Sequence, residues 1–134
     1  MPHPDTSSWF TYRVQASECD AYHHLNHASC FQILEKARWN YLAQGNRRKE
    51  DVIAESLVPV IIHIEADFRR EIREGDQISI STSALSLNRR FFEIHQEVLR
   101  GDQSCVRARF KHGLIDLASR RLVEIPSSWA SIFA

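Results

Sequence analysis

Five stretches of the chain alternate apolar and polar residues with the period of two that a half-buried β-strand imposes. From Trp9 to Ser17, Phe10, Tyr12, Val14 and Ala16 share one face, with Thr11, Arg13 and Gln15 on the other. Val58–Arg69 groups Val58, Val60, Ile62, Ile64, Ala66 and Phe68, and Gln77–Leu87 groups Ile78, Ile80, Thr82 and Ala84. Phe91–Arg100 groups Phe92, Ile94 and Val98, and Cys105–Leu117 groups Val106, Ala108, Phe110, His112 and Leu114. Glu74-Gly75-Asp76, Asn88-Arg89-Arg90 and Arg100-Gly101-Asp102 are turn signals between the last four. Pro126 ends the last extended piece, and Ser127 can cap a short terminal helix.

Between the first two strands the period changes to that of a helix. Asn26 is a suitable N-cap, the helix runs to about Gln44, and Gly45 stands where a C′ glycine belongs. Cys30, Phe31, Ile33, Leu34, Ala37, Tyr41 and Leu42 form a broad apolar stripe, opposed by Ser29, Gln32, Lys36, Asn40 and Ala43. Trp39 falls on the polar side, which predicts a loop or a partner chain lying over it. Asn46–Ser56 reads as a surface connection with room for one helical turn. One helix with a wide apolar face and about five strands apolar on one side pack most economically as an α+β fold, an antiparallel sheet wrapped around the helix. One sheet face and the sheet edges then remain for self-association.

At 134 residues the chain is expected to be a single domain over 1–134, with residues 1–7 a loose tail. Seventeen basic and seventeen acidic residues cancel, so no long-range field draws it to nucleic acid or an anionic membrane. Three cysteines without a C-x-x-C pair predict a reducing compartment rather than a disulfide framework. No signal pattern and no run near ~18 apolar residues is present, which predicts a soluble, cytoplasmic protein.

The chemistry concentrates in Cys19-Asp20-Ala21-Tyr22-His23-His24-Leu25-Asn26-His27-Ala28-Ser29-Cys30. A carboxylate just ahead of a helix can act on an electrophile while the unpaired first-turn N–H groups hold the developing negative charge. Cys19, His23, His24, His27 and Cys30 include metal-ligating types, but their spacing matches neither C-x-x-C nor H-E-x-x-H, and no metal is expected.

The run Asp20-Ala21-Tyr22-His23-His24-Leu25-Asn26-His27-Ala28, with Glu35-Lys36-Ala37-Arg38 below it, resembles hotdog-fold thioesterases of the 4-hydroxybenzoyl-CoA thioesterase type. Members typically carry an acid, a turn often written G-H-V-N-N, and a helix with a Glu-x-Ala-Arg pattern. The similarity continues through Phe68, Gly75-Asp76 and Leu114-Ile115-Asp116. Two positions depart from the pattern: His23 stands where Gly is common, and Arg69-Arg70-Glu71-Ile72 lacks the Pro that often follows the second strand.

The resemblance implies a hotdog fold that hydrolyses an acyl-CoA, or acyl-carrier, thioester. Asp20 would be general base or nucleophile; its alternative is an Asp that fixes the turn by bonding its own backbone. His27 would give its N–H to the carbonyl oxygen, or its imidazole to water or the leaving thiolate. His24 and Asn26 would shape the turn, and N–H groups near His27 and Ala28 would form the oxyanion site. Glu35 is a reserve acid or a salt-bridge partner of a nearby Arg. Asn88, Arg89 and Arg90 would meet coenzyme A phosphates or simply form a wet turn. Coenzyme A enters only as part of the substrate, and no further cofactor is implied. A homodimer with the acyl group at its interface, or a homotetramer, is the implied assembly. A hotdog dehydratase wants a His before Pro-Gly and a hydratase an Asp-x-Asn-Pro-x-His loop; neither pattern is here. A non-catalytic acyl-thioester-binding protein on the same fold remains the alternative.

Overall fold

The computed structural model describes residues 9–133 and joins six strands in one antiparallel sheet. The tail expected over residues 1–7 lies outside the described residues. In chain order the elements are β1 (Trp9–Arg13), a 3-10 turn (Ala16–Glu18), α1 (His27–Gln44), α2 (Lys49–Ala54), β2 (Leu57–Phe68), β3 (Gln77–Ser86), β4 (Phe91–Arg100), β5 (Gln103–Asp116), β6 (Arg121–Val123) and a closing 3-10 segment (Ser127–Phe133). The sheet order is β1-β3-β4-β5-β2, and the short β6, which raises the expected five strands to six, pairs with the end of β5.

The α1 stripe sits where its pattern requires. Cys30, Ile33, Leu34 and Ala37 are buried with Ile78, Ile80, Val98, Val106, Ala108 and Phe110 from the facing strands. Farther along the helix, Leu42 joins Val52, Phe92, Ile94, Leu114, Trp129 and Ile132 in a second cluster, so α2 and the chain terminus close that end. This is the expected α+β hotdog arrangement. The alternating faces of β3, β4 and β5 are observed as expected: the grouped residues of β4 and β5 are all buried, and only Ala84 of β3 is partly exposed.

Three local expectations are corrected. β1 does not reach Ser17: it stops at Arg13, because Gln15 N–H donates to Glu18 Oε1 at 2.8 Å and folds the chain into a turn. Along β2, Val58, Val60, Ile64, Ala66 and Phe68 do not form one continuous face. The pairing with β5 slips between Ile61 and His63, leaving Ile62 as a bulge. Pro59 and Ile61 therefore sit opposite Leu114 and His112, while Ile64, Ala66 and Phe68 sit opposite Phe110, Ala108 and Val106. At the end of α1, Gly45 is not the left-handed residue, having φ −90°; Asn46 takes φ 62° instead. The N–H groups of Asn46 and Arg47 then close onto Ala43 and Leu42 carbonyls. Gly45 answers a different demand, since a Cβ there would lie 3.0 Å from Ile132 Cγ2.

Gly113 on β5 is tighter still: a Cβ would collide with Leu122 Cδ1 and lie 3.2 Å from Ile62 Cδ1. Gly113→Ala is expected to cost about 1–3 kcal/mol in urea unfolding. A loss under about 0.5 kcal/mol would mean that β6 and the bulge move aside without strain.

Candidate active site

The turn before α1 is held from both sides. Leu25 N–H donates to Ile72 O at 2.7 Å, and Asn26 N–H donates to Glu18 O at 2.9 Å. Inside the turn, Asp20 N–H donates to His24 O at 2.9 Å and His23 N–H donates to Asp20 O at 3.0 Å. His23 takes φ 66°, so the position where the family often carries Gly is left-handed here, and His is one of the few side chains enriched in that region.

Asp20 uses one oxygen to hold this turn. Its Oδ1 accepts from Tyr22 N–H at 2.9 Å and from His24 N–H at 3.2 Å. Among the described residues no hydrogen bond reaches Oδ2. The helix start divides its donors in a similar way. Asn26 is the N-cap, and its Oδ1 accepts from Ala28 N–H at 2.8 Å and Ser29 N–H at 3.4 Å. Ala28 N–H is thus committed to the cap, and His27 N–H is the first-turn donor with no partner among the described residues. Asp20, His24 and His27 line one cavity of about 380 Å³, together with Cys30, Phe68 and Glu71.

Glu71 of that wall and its partner Arg73 were not singled out in the sequence. Glu71 Oε2 lies 2.7 Å from His24 Nε2, and Arg73 holds the other carboxylate oxygen at 2.7 Å. Glu71 lies in the segment that lacks the proline and Arg73 just after it, with no periodicity to mark either. Burial pushes the Cys30 thiol up to about 11, so at neutral pH it stays protonated and is no nucleophile. Among the described residues no group of three His, Cys, Asp or Glu side chains is placed to hold a metal ion. No helix among them is long and apolar enough to cross a membrane.

Glu35 is elsewhere. It lines a second cavity of about 300 Å³, between α1 and the start of β2, with Arg38, Trp39, Pro59, Ile61 and His112. The expected salt bridge with an Arg is not formed: among the described residues Glu35 enters no ion pair, although its charge acts on Arg38. Trp39 is half-buried at this cavity, and the Lys49 ammonium at the start of α2 sits 5.7 Å from its ring centroid. Arg38 is only 6% exposed. Its Nη1 donates to Gln96 Oε1 at 3.1 Å, and its guanidinium lies 4.0 Å from the Phe110 ring centroid. Burial lowers Arg38 to about 10, which leaves it charged at neutral pH. His112 stacks on Phe92 at 5.1 Å, and its Nδ1 bonds the Phe110 carbonyl at 2.9 Å, so Nδ1 carries the proton and Nε2 is an acceptor.

Asn88, Arg89 and Arg90 are not near Asp20 within one chain. They form the β3–β4 turn, where Asn88 Oδ1 accepts from Arg90 N–H at 2.9 Å and Phe91 N–H at 3.0 Å. The Asp20 cavity lies at the opposite end of the sheet, about 30 Å away along a ten-residue strand such as β3.

The comparisons with known proteins agree with this architecture. The Thioesterase-like superfamily matches residues 14–133. A 1,4-dihydroxy-2-naphthoyl-CoA hydrolase of Prochlorococcus marinus (strain MIT 9303) is 34% identical over 79 residues, covering 59% of this chain and 52% of that protein. The chain thus spans about half the length of that relative. The long-chain acyl-CoA thioesterase FadM of Escherichia coli (strain K12) is 28% identical over 76 residues, 57% of each chain. Among solved structures, Slr0204, a 1,4-dihydroxy-2-naphthoyl-CoA thioesterase from Synechocystis, superposes with a TM-score of 0.84 at 17% identity, covering 92% of this chain and 93% of that one. Sequence match and fold point the same way, and the chain belongs to the Thioesterase-like superfamily.

Proposed function

We propose that the protein hydrolyses an acyl-CoA thioester at the cavity formed by Asp20 and the start of α1. One observation carries the reading: Asp20 and His27 line the same cavity, and Asp20 Oδ2 and His27 N–H each have no protein partner among the described residues. A carboxylate oxygen and a helix-start donor on one small volume are what thioester hydrolysis requires. The relatives' names support coenzyme A as the thiol and differ in the acyl group. A carrier-protein thioester uses the same chemistry and is the second substrate to test.

As a base, Oδ2 takes a proton from water while the oxygen adds to the thioester carbonyl. As a nucleophile, it forms an anhydride that water then cleaves. In both routes the carbonyl oxygen becomes anionic next to His27 N–H, the C–S bond breaks, and the thiolate departs and takes up a proton. His24, bonded to Glu71, keeps the turn in shape beside Asp20.

The catalytic unit in this reading is a dimer. β2 is an edge strand of 12 residues, and Ile61, Ile62, Ile64 and Phe68 along it are 42%, 50%, 40% and 53% exposed. A long apolar edge of this kind is a template for pairing. Antiparallel pairing of two β2 strands makes one continuous sheet and brings the copy's Asn88-Arg89-Arg90 turn to the same end as Asp20, where coenzyme A phosphates would lie. Further pairing of dimers gives a tetramer.

The test of the activity is free-thiol release from short, long and aromatic acyl-CoAs by wild type and Asp20→Asn. Hydrolysis of at least one member that the variant has lost supports the reading; equal rates from both proteins overturn the role of Asp20. The dimer has its own check. Ile62→Lys places a charge on each facing edge and is expected to weaken association at least about tenfold in sedimentation velocity, the scale of a kcal/mol-sized like-charge penalty. An unchanged dimer, or a wild type that is monomeric at micromolar concentration, removes this interface.

A further inference from the structure

Thioester hydrolysis at the Asp20 cavity leaves one proton without a source. When the C–S bond breaks, the sulfur departs as a basic alkyl thiolate, and a positioned acid that gives it a proton lowers the barrier. The turn before α1 carries three histidines, and the structure separates them. His23 does not line the cavity; its side chain is exposed, with Nδ1 4.0 Å from Glu74. His27 lines the cavity, but among the described residues no polar partner orients its ring. His24 both lines the cavity and has its ring held.

The hold on His24 comes from two directions. Its main chain is tied to Asp20: His24 N–H donates to Asp20 Oδ1 at 3.2 Å, and Asp20 N–H donates to His24 O at 2.9 Å. These bonds do not need an imidazole at position 24, so closing the turn does not account for the side chain. The ring is gripped at Nε2, which lies 2.7 Å from Glu71 Oε2, and Arg73 holds the other oxygen of Glu71 at 2.7 Å. Glu71 is itself anchored through its main chain, where Arg100 Nη1 donates to Glu71 O at 2.5 Å. A carboxylate only accepts, so Nε2 carries the proton at this contact and a second ring proton goes to Nδ1. Glu71 is the counter-charge of that doubly protonated ring. Among the described residues no hydrogen bond reaches Nδ1, which leaves it for a substrate atom.

We infer that His24, oriented by Glu71, is the general acid that protonates the departing sulfur, with Glu71 as its positioning residue. The inference rests on the thioesterase reading above. Water adds its oxygen to the carbonyl carbon and gives a proton to Asp20 Oδ2. As the tetrahedral intermediate collapses, the C–S electron pair leaves with sulfur, and His24 Nδ1–H gives its proton to that sulfur. The proton on Asp20 then returns to His24 through solvent. In the nucleophilic route Asp20 Oδ2 displaces the sulfur, His24 protonates it in the same way, and the returning proton comes from the water that cleaves the anhydride. Either way one thioester and one water give one acid and one thiol.

The experiment varies the leaving group. The acyl group that wild type prefers is offered as its N-acetylcysteamine thioester, which releases a strongly basic alkyl thiolate, and as its 4-nitrothiophenyl thioester, which releases a weakly basic one that needs no acid. His24→Gln keeps a side-chain donor for Glu71 and the main-chain bonds to Asp20, and has no proton to give. It is expected to lower kcat/KM at least about 100-fold for the alkyl thioester and less than about threefold for the aryl one. Glu71→Gln keeps an acceptor for Nε2 without the charge. It is expected to split the two thioesters in the same direction by at least about fivefold, and it serves in case His24→Gln fails to fold. His27→Gln is the control, since any loss it causes through the start of α1 falls on both thioesters alike. Where wild type turns over only full acyl-CoA, rescue replaces the split: added imidazole is expected to raise the activity of His24→Ala at least about tenfold.

A leaving-group split, or rescue by imidazole in its place, upholds the inference. Losses shared equally by both thioesters, no loss in His24→Gln, or no rescue reduce His24 to a support of the turn and overturn it. Turnover that Asp20→Asn abolishes and His24→Gln leaves intact removes this inference alone. A wild type inert toward every acyl-CoA removes the thioesterase reading and this inference with it.

Discussion

Asp20→Asn is expected to lower kcat/KM for the best acyl-CoA at least about 100-fold, the size of a lost acid–base contribution, while leaving the fold intact. The substitution separates the two jobs of this side chain. Asn keeps a carbonyl oxygen that can accept from Tyr22 and His24 N–H, the two bonds through which Oδ1 fixes the turn. It replaces Oδ2 by an amide nitrogen, which can neither take a proton from water nor attack a carbonyl. Asp20→Ala loses both jobs and is expected to cost a further 1–2 kcal/mol or so of stability as the turn N–H groups lose their acceptor. Single turnover in heavy-oxygen water tells base from nucleophile. Label in the Asp20 carboxyl group identifies the nucleophile, with water cleaving the anhydride at the aspartyl carbonyl, whereas a base sends the label only to the product acid. An Asn variant that keeps more than about a tenth of the activity would remove Asp20 from the chemistry, since general base catalysis contributes far more than that. Glu35→Gln would then be next, although Glu35 lines the other cavity.

What could be read from the sequence follows from the range of the interactions involved. Asp20, His24 and His27 lie within eight consecutive residues, so a turn and a helix start suffice to place them on one cavity. The faces of β3, β4 and β5 were legible because a buried face enforces strict alternation on a central strand. β2 was not, because its register is set by β5, and the slip at Ile62 reverses the apolar parity of everything before it. Arg38 was visible as part of a motif but not as a buried cation, because its partners Gln96 and Phe110 come from distant strands and only the folded sheet brings them to α1. Glu71 and Arg73 carry no periodic signal at all. They approach His24 because the chain after β2 runs back beside the turn, where Leu25 N–H meets Ile72 O. Gly45 was read for its conformational freedom, and the fold uses it for close approach to Ile132 instead.

Lowering the pH from 7 to 4 is expected to destabilise wild type by about 3 kcal/mol more than His112→Phe, the difference coming from one buried imidazole. Burial holds His112 down at about 4, with the Arg38 charge acting in the same direction and the bond to the Phe110 carbonyl opposing both. In the unfolded chain the same group titrates near about 6.5. The folded pKa is therefore the lower one, and between the two values the unfolded state binds the extra proton. Stability is fully present above about 6.5, falls as the pH drops toward about 4, and levels off below that. The contribution of His112 is thus opposite in direction to that of a histidine ion-paired on folding, which gains stability as it protonates. Phe keeps the ring that stacks on Phe92 and cannot ionise; its loss of the bond to Phe110 O shifts stability by an amount independent of pH. Carboxylates held low by ion pairs, Glu97 with Arg107 and Asp51 with Arg48, also lose stability on acidification, but equally in both proteins, so they cancel in the difference. Urea unfolding of both proteins at matched concentration, in steps from pH 7 to 4, reads the gap directly. Parallel curves would mean that His112 is already charged in the fold or that acid opens its cluster first, and would also deprive the Arg38 cavity of its neutral acceptor.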